Sequence, residues 1–276
     1  MSELPPGPAD GYVLGRSDAE TRRLIAQHQL YGPFTRQFLV SAGITAGMRV
    51  LDVGSGAGDV ALLVAELVGP QGRVVGVDTN AEILDTAAAR VQAAGWSTVV
   101  FRGGDVLRLD LEGFDAVVGR WVLQYTPDPA GLLRRARDWL RPGGVVAFQE
   151  IDLSSPPRAY PAGPLHEQVV RWTTPPPGRP GPDPEMGLKL FKAFLDAGLP
   201  APQLRRDVPV GGGPAWPGYA YVAATVRSLL PFLERAGAVS AEEVGVDTLE
   251  DRLRAEVVGQ DGVQLLPAIV GAWART

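Results

Sequence analysis

The sequence predicts an α/β fold in which helices cover both faces of an open, mostly parallel sheet. Three observations carry that prediction. A short apolar run, Val50 to Val53, passes through the glycine turn Gly54-Ser55-Gly56-Ala57-Gly58 into a helix-forming stretch that begins at Asp59. Apolar runs then recur with helical stretches between them, at residues 73–77, 97–101, 114–118 and 145–151. Each run is nearly continuous in apolar residues, the pattern of strands buried on both faces.

Glycines at alternate positions let a backbone turn sharply and approach a ligand closely. Such a turn also serves simply to pack a helix tightly on a sheet. A dinucleotide fingerprint would place its third glycine one residue later, where Asp59 stands. The second apolar run ends in Asp78, where a βαβ unit carries a ribose-binding carboxylate. The rival role for Asp78 is an N-terminal charge on the helix predicted over residues 80–94. After the third run, Arg102-Gly103-Gly104 leads to Asp105 and Val106. An amphipathic helix over residues 128–140 stops at Arg141-Pro142-Gly143-Gly144, where glycine and proline end it.

The stretch from Asp52 to Gly58 resembles motif I of the class I S-adenosylmethionine (SAM) dependent methyltransferases. Asp105 looks like the acidic residue that meets the adenine amino group in that family, and Gly119-Arg120-Trp121-Val122-Leu123 looks like its segment after the fourth strand. Leu140-Arg141-Pro142-Gly143-Gly144 is similar to its Leu-x-Pro-Gly-Gly turn. The resemblance spans residues 47–150. It implies a Rossmann-like sheet of seven strands, order 3-2-1-4-5-7-6, whose last pair is antiparallel; residues 202–210 and 265–273 are expected to supply that pair. It implies SAM as cofactor and S-adenosylhomocysteine (SAH) as product. The residues it assigns to the cofactor are Asp52, Gly54, Ser55, Gly56 and Gly58 in the loop, Asp78 and Thr79 after the second strand, Asp105 and Val106 after the third, and Arg120 after the fourth. For Arg120 the alternative is a surface salt bridge.

Composition fits an enzyme of this kind. The chain has 276 residues and a net charge of -5, so it lacks the basic surplus of a nucleic-acid partner. It contains no cysteine, which removes disulfides, thiolate zinc sites and cysteine nucleophiles; no metal is expected. The start is proline-rich and acidic rather than basic then apolar, and no run of 18 apolar residues occurs, so a cytoplasmic protein without membrane contact is expected. The segment after the fourth strand lacks the Asn/Asp-Pro-Pro-Tyr/Phe signature of exocyclic base methylation. The expected acceptor is a small aromatic or otherwise apolar metabolite of natural-product type, methylated on carbon, nitrogen or oxygen, an indole carbon included. Oligomeric state is open, and a homodimer is compatible.

An N-terminal arm, residues 1–45, should cover the cofactor in front of the main domain, residues 46–276, with lids inserted at about 152–184 and 211–258. In the arm, Tyr12 either touches cofactor or acceptor or is an ordinary anchoring aromatic. The capping box Ser17-Asp18-Ala19-Glu20 should start a helix ending near Leu30, with a second helix over residues 35–42. His28 shares a helical face with Leu24 and Tyr31 and is either catalytic or simply packed. Residues 156–184 contain ten prolines, leaving room for one short helix over 164–173, which carries His166 as a second candidate base. Trp216, Tyr219 and Tyr221, near the start of a helix over 217–236, line the acceptor or belong to the core. Glu150 and Asp152, at the end of the fifth strand, are candidates for a general base or an anchor, against solvated carboxylates or arginine partners. Two alternatives to methyl transfer stand: a nicotinamide-dependent oxidoreductase, disfavoured by Asp59, and a SAM-binding protein with non-methylating chemistry.

Overall fold

Helix and strand alternate from the start, as the apolar runs require. The computed structural model describes residues 18–154, 156–174 and 181–276; Tyr12 and Ser17 lie outside them. The first half runs α1 (Asp18–Ser41), β1 (Arg49–Val53), α2 (Asp59–Val68), β2 (Arg73–Asp78), α3 (Ala81–Ala93), β3 (Val99–Gly103), β4 (Phe114–Arg120), α4 (Pro129–Asp138) and β5 (Leu140–Asp152). The second half runs β6 (Arg158–Tyr160), α5 (Pro164–Thr173), α6 (Met186–Asp196), β7 (Gln203–Asp207), β8 (Val210–Gly212), α7 (Gly218–Arg235), α8 (Ala241–Val244), α9 (Leu249–Val258), β9 (Val263–Leu265) and β10 (Ala268–Arg275).

The main sheet has seven strands in the order β3-β2-β1-β4-β5-β10-β7. Strands β1 to β5 are mutually parallel, and β10 runs antiparallel to both β5 and β7. The labels run past seven because β6, β9 and β8 form a separate sheet of three short strands, which the periodicity does not announce. Counted along the chain within the main sheet alone, the order is 3-2-1-4-5-7-6.

Alternation along each strand divides the core into two layers. Leu51 and Val53 of β1, with Val117 and Phe148, pack under Leu133, Trp139 and Phe194 on one face. Val50, Ala116, Val118 and Ala147 face the opposite way, against Phe38 of α1 and Val64 of α2. Gly271 in β10 makes α1 fit: a Cβ there would lie 2.4 Å from Phe38. Helix ends follow the local chemistry, Asn80 accepting from Glu82 N–H at the start of α3 and Asp128 from Gly131 N–H at the start of α4.

The two helices expected over residues 18–30 and 35–42 are one, α1, which continues through Pro33. Pro33 is solvent-exposed, where a bend at the missing hydrogen bond is best tolerated. The upstream part of α1 joins α5, α7 and α9 in a third layer around Tyr31, Tyr219, Val226 and Leu253, which also buries Ile269 of β10. Ile269 is paired with Ile151, so this layer sits at the C-terminal ends of the parallel strands. No described helix is long and apolar enough to cross a membrane.

Candidate active site

The loop after β1 owes its shape to its glycines. Gly54, Gly56 and Gly58 have φ of 65°, 49° and 82°, a left-handed region that costs other residues about 1–2 kcal/mol. At Gly54 a Cβ would lie 2.6 Å from Val122 Cγ2, so the segment after β4 presses directly on the loop. At Gly56 a Cβ would meet nothing within 4 Å, which makes this the open face of the turn. Gly58 caps α2.

Asp78 holds that loop. One carboxylate oxygen accepts from Gly56 N–H at 2.9 Å and the other from Asn80 N–H at 2.9 Å. Ser55 N–H donates to the Val77 carbonyl at 3.0 Å, and Gly104 N–H to the Asp78 carbonyl at 2.9 Å. The ends of β1, β2 and β3 are thus tied together, and Thr79 beside them is exposed. Asp105 accepts from Leu107 N–H at 3.0 Å and pairs with Arg108 at 3.3 Å, while Val106 packs against the core.

Beneath the loop lies a buried charge cluster. Asp52 is 1% exposed, and neither of its carboxylate oxygens makes a hydrogen bond of normal geometry among the described residues, though the Ala61 N–H of α2 acts on it. Burial pushes its carboxyl up to about 8, opposed by the Arg120 guanidinium. Arg120 donates to Thr35 Oγ1 at 3.1 Å and to Asp59 at 3.4 Å. Asp59 pairs also with Arg90 at 2.7 Å, and His28 Nδ1 stands 4.0 Å away. Burial holds the His28 imidazole below its ordinary value although Asp59 opposes this. Arg90 bonds the Ala57 carbonyl as well, clamping the loop from α3.

The other expected groups are occupied differently. Glu150 is fully buried, and its carboxylate accepts from the N–H groups of Val122 (2.9 Å), Leu123 (2.7 Å) and Gln124 (3.4 Å). Burial pushes it up to about 8 against those three donors. Asp152 is paired with Arg206 at 3.1 Å and accepts from Ser154 N–H. His166, on α5, is held below its ordinary value by burial; its charged neighbours are Glu256 and Glu167, not the loop carboxylates. Tyr219 and Tyr221 are buried in the third layer, and Trp216 donates to Gln264 Oε1 at 3.1 Å.

The structure therefore brings Asp52, the glycine loop, Asp78, Arg120 and His28 together and leaves His166 apart. Thr35, Asp59, Arg90 and Gln149 join this cluster, a grouping the sequence reading missed. The signal for Asp59 was there: a charged residue at a position where tight helix–strand packing favours glycine asks for a partner.

Residues 44–174 match the family described as "Methyltransferase domain". Over 122 residues the chain is 38% identical to an arsenite methyltransferase of Aquipseudomonas alcaligenes, covering 41% of this chain and 35% of that protein. Over 145 residues it is 30% identical to a demethylmenaquinone methyltransferase of Lactococcus lactis, covering 52% of this chain and 54% of that protein. The chain thus spans between about a third and about half the length of these curated relatives. A SAM dependent methyltransferase from Aquifex aeolicus shares the fold at 18% identity and a TM-score of 0.50, over 70% of this chain and 92% of that one. Residues 44–174 are thus a methyltransferase domain, set on a sheet and a glycine loop of the class I SAM-dependent kind.

Proposed function

We propose that this chain transfers the methyl group of SAM to a small aromatic or apolar acceptor bound under the α1–α7 layer. The observation that carries the cofactor side is the loop itself: Gly56 open to approach and Asp52 buried beneath, without a hydrogen bond of normal geometry among the described residues. A buried carboxylate short of donors fits a ligand that brings one, and the SAM ammonium would do so. Asp78 has lone pairs left for two ribose hydroxyls, and the family resemblance assigns Asp105 and Val106 to the adenine edge.

When bound, SAM supplies a methyl group on a sulfonium, which an acceptor lone pair or electron-rich carbon displaces in line. The chain's own residues align and dry that step. Asp59, Arg90 and Arg120 keep the loop rigid, and the third layer excludes water. We read Glu150 as a strap on the segment after β4 rather than a base, since backbone N–H groups fill its lone pairs. Asp152 belongs with Arg206 by the same reasoning. The 1–45 arm and the two insertions retain their proposed role as cover and lid.

Of the acceptor chemistries of the arsenite and demethylmenaquinone methyltransferases, trivalent arsenic favours soft thiolates and this sequence offers none. An aromatic ring suits Tyr31, Trp121 and Tyr221, which meet edge-on at centroid distances of 5.1 Å and 5.8 Å. The test is calorimetric titration with SAH. A single site is expected, weakened at least about tenfold in Asp78→Ala because charged hydrogen bonds and the Gly56 anchor go together. Unchanged affinity in that variant contradicts the assigned site.

A further inference from the structure

The residue after β4 carries an unexplained cost. Trp121 has φ of 59°, a conformation that bulky residues avoid. It is enforced from both sides: Trp121 N–H donates to the Gln149 carbonyl at 2.8 Å, and Glu150 grips the next two N–H groups. The turn places the indole edge-on against Tyr31 and under Arg120, whose guanidinium carbon lies 5.1 Å from the ring. Backbone held off its preferred geometry at the C-terminal edge of a parallel sheet is characteristic of a functional site.

Two polar ends in this spot are buried and unpartnered among the described residues. One is Trp121 Nε1–H; the other is the Gln149 amide nitrogen, its oxygen being taken by Thr35 Oγ1 at 2.7 Å. Gln149 is 1% exposed and lies opposite Arg120 in the β4–β5 register. Of the neighbouring aromatics, Tyr31 Oη donates to the Pro267 carbonyl at 3.1 Å and Trp216 to Gln264, while Tyr219 Oη, on α7 in the third layer, also lacks a partner among the described residues. Trp139 Nε1 also lacks a partner, but it sits inside the aliphatic layer against α4 and α6, where β5 begins. Trp121 lies at the other end of β5, beside the cofactor loop.

We infer that Trp121 Nε1–H, seconded by the Gln149 amide, anchors the methyl acceptor, and that the acceptor is a planar ring bearing an oxygen, as hydroxyl or carbonyl. The indole can only donate, so it selects an acceptor atom on the ligand. Tyr31 and Tyr221 wall a flat ring, and Arg120 favours electron density on that oxygen. Leaving two buried polar groups unpaired penalises the same ring without the oxygen, the situation in which a site discriminates most strongly. This inference rests on the methyltransferase reading.

Its test compares 1-naphthol and 1,4-naphthoquinone with naphthalene on SAH-saturated protein. Either oxygenated ring is expected to bind about tenfold tighter than naphthalene. In Trp121→Phe, which keeps a ring and removes the N–H, the difference should shrink to within about threefold while SAH affinity stays unchanged. An independent readout needs no variant to fold: in ¹⁵N-tryptophan-labelled protein one indole N–H resonance should move downfield with naphthol and not with naphthalene, and Trp121→Phe identifies it. Equal binding of the three rings, binding of none, or a preference that survives Trp121→Phe overturns the inference. Failure of SAH to bind would instead sink the methyltransferase reading, so the two failures are distinguishable.

Discussion

At the scale of the residue, Asp52 and Glu150 make opposite use of burial. Both carboxyls are pushed up to about 8, but Glu150 accepts from three backbone N–H groups, whereas Asp52 makes no hydrogen bond of normal geometry among the described residues and feels only the Ala61 N–H of α2. On the proposed role, burial should keep a proton on Asp52 in the cofactor-free protein, to be lost when an ammonium arrives. SAM binding should expel a proton and tighten as pH rises towards 8; titrations in buffers of different ionisation enthalpy will measure it, and Asp52→Asn should abolish it. The same shifts govern stability. A carboxyl whose folded value exceeds its unfolded one stabilises below the unfolded value, so the free protein should lose stability between about pH 4.5 and 8. Asp52→Asn should flatten that decline in thermal melts. For Glu150→Ala, three orphaned N–H groups predict a loss of about 2–3 kcal/mol in stability with the shape of the kcat pH profile retained; loss of one limb of that profile would restore the base role. The role of Glu150 was hidden in the sequence because its partners are backbone groups more than twenty residues upstream, for which side-chain identity carries no signal.

At the scale of the element, the glycine loop was readable because left-handed backbone narrows the choice to glycine, whatever the tertiary context. Gly54→Ala and Gly56→Ala separate geometry from ligand contact. Both lose about 1 kcal/mol to the positive φ. Gly54→Ala also strikes Val122 and should unfold more readily, whereas Gly56→Ala meets nothing in the free chain and should instead weaken SAH binding by more than tenfold. Denaturant melts and SAH titrations of the pair decide it, and equal SAH affinity in Gly56→Ala and the native protein would contradict the open-face assignment. The helices were legible where caps mark them, as at Asn80 and Asp128. They were misjudged at Pro33, because a proline on the solvent side bends a helix without ending it. The three-stranded sheet escaped because β6, β8 and β9 are each three residues long, too short for alternation to register.

At the scale of the whole molecule, the glycine loop and the proposed acceptor wall are one mechanical unit. Val122 presses on Gly54, Arg120 links Asp59 to Thr35 of α1, and Trp121 meets Tyr31 on that helix. Occupying the loop should therefore stabilise the fold as a body. SAH at about 100 times its Kd adds ~2.7 kcal/mol, a rise of roughly 5–10 °C in Tm for a chain of this size, and Asp78→Ala should remove most of it. Parallel pairing was legible because strands and helices alternate, and the strand order followed from the family resemblance; the proposed acceptor site was not legible, since α1, β4, β5 and α7 meet only by long-range packing. The most direct test of the central claim is transfer itself: native protein, SAM carrying a trideuterated methyl group, and a panel of hydroxylated and quinonoid rings, read by mass spectrometry. The account predicts one trideuteromethyl group on at least one ring and a matching yield of SAH. Saturable SAM binding with no label leaving SAM across the panel would contradict it.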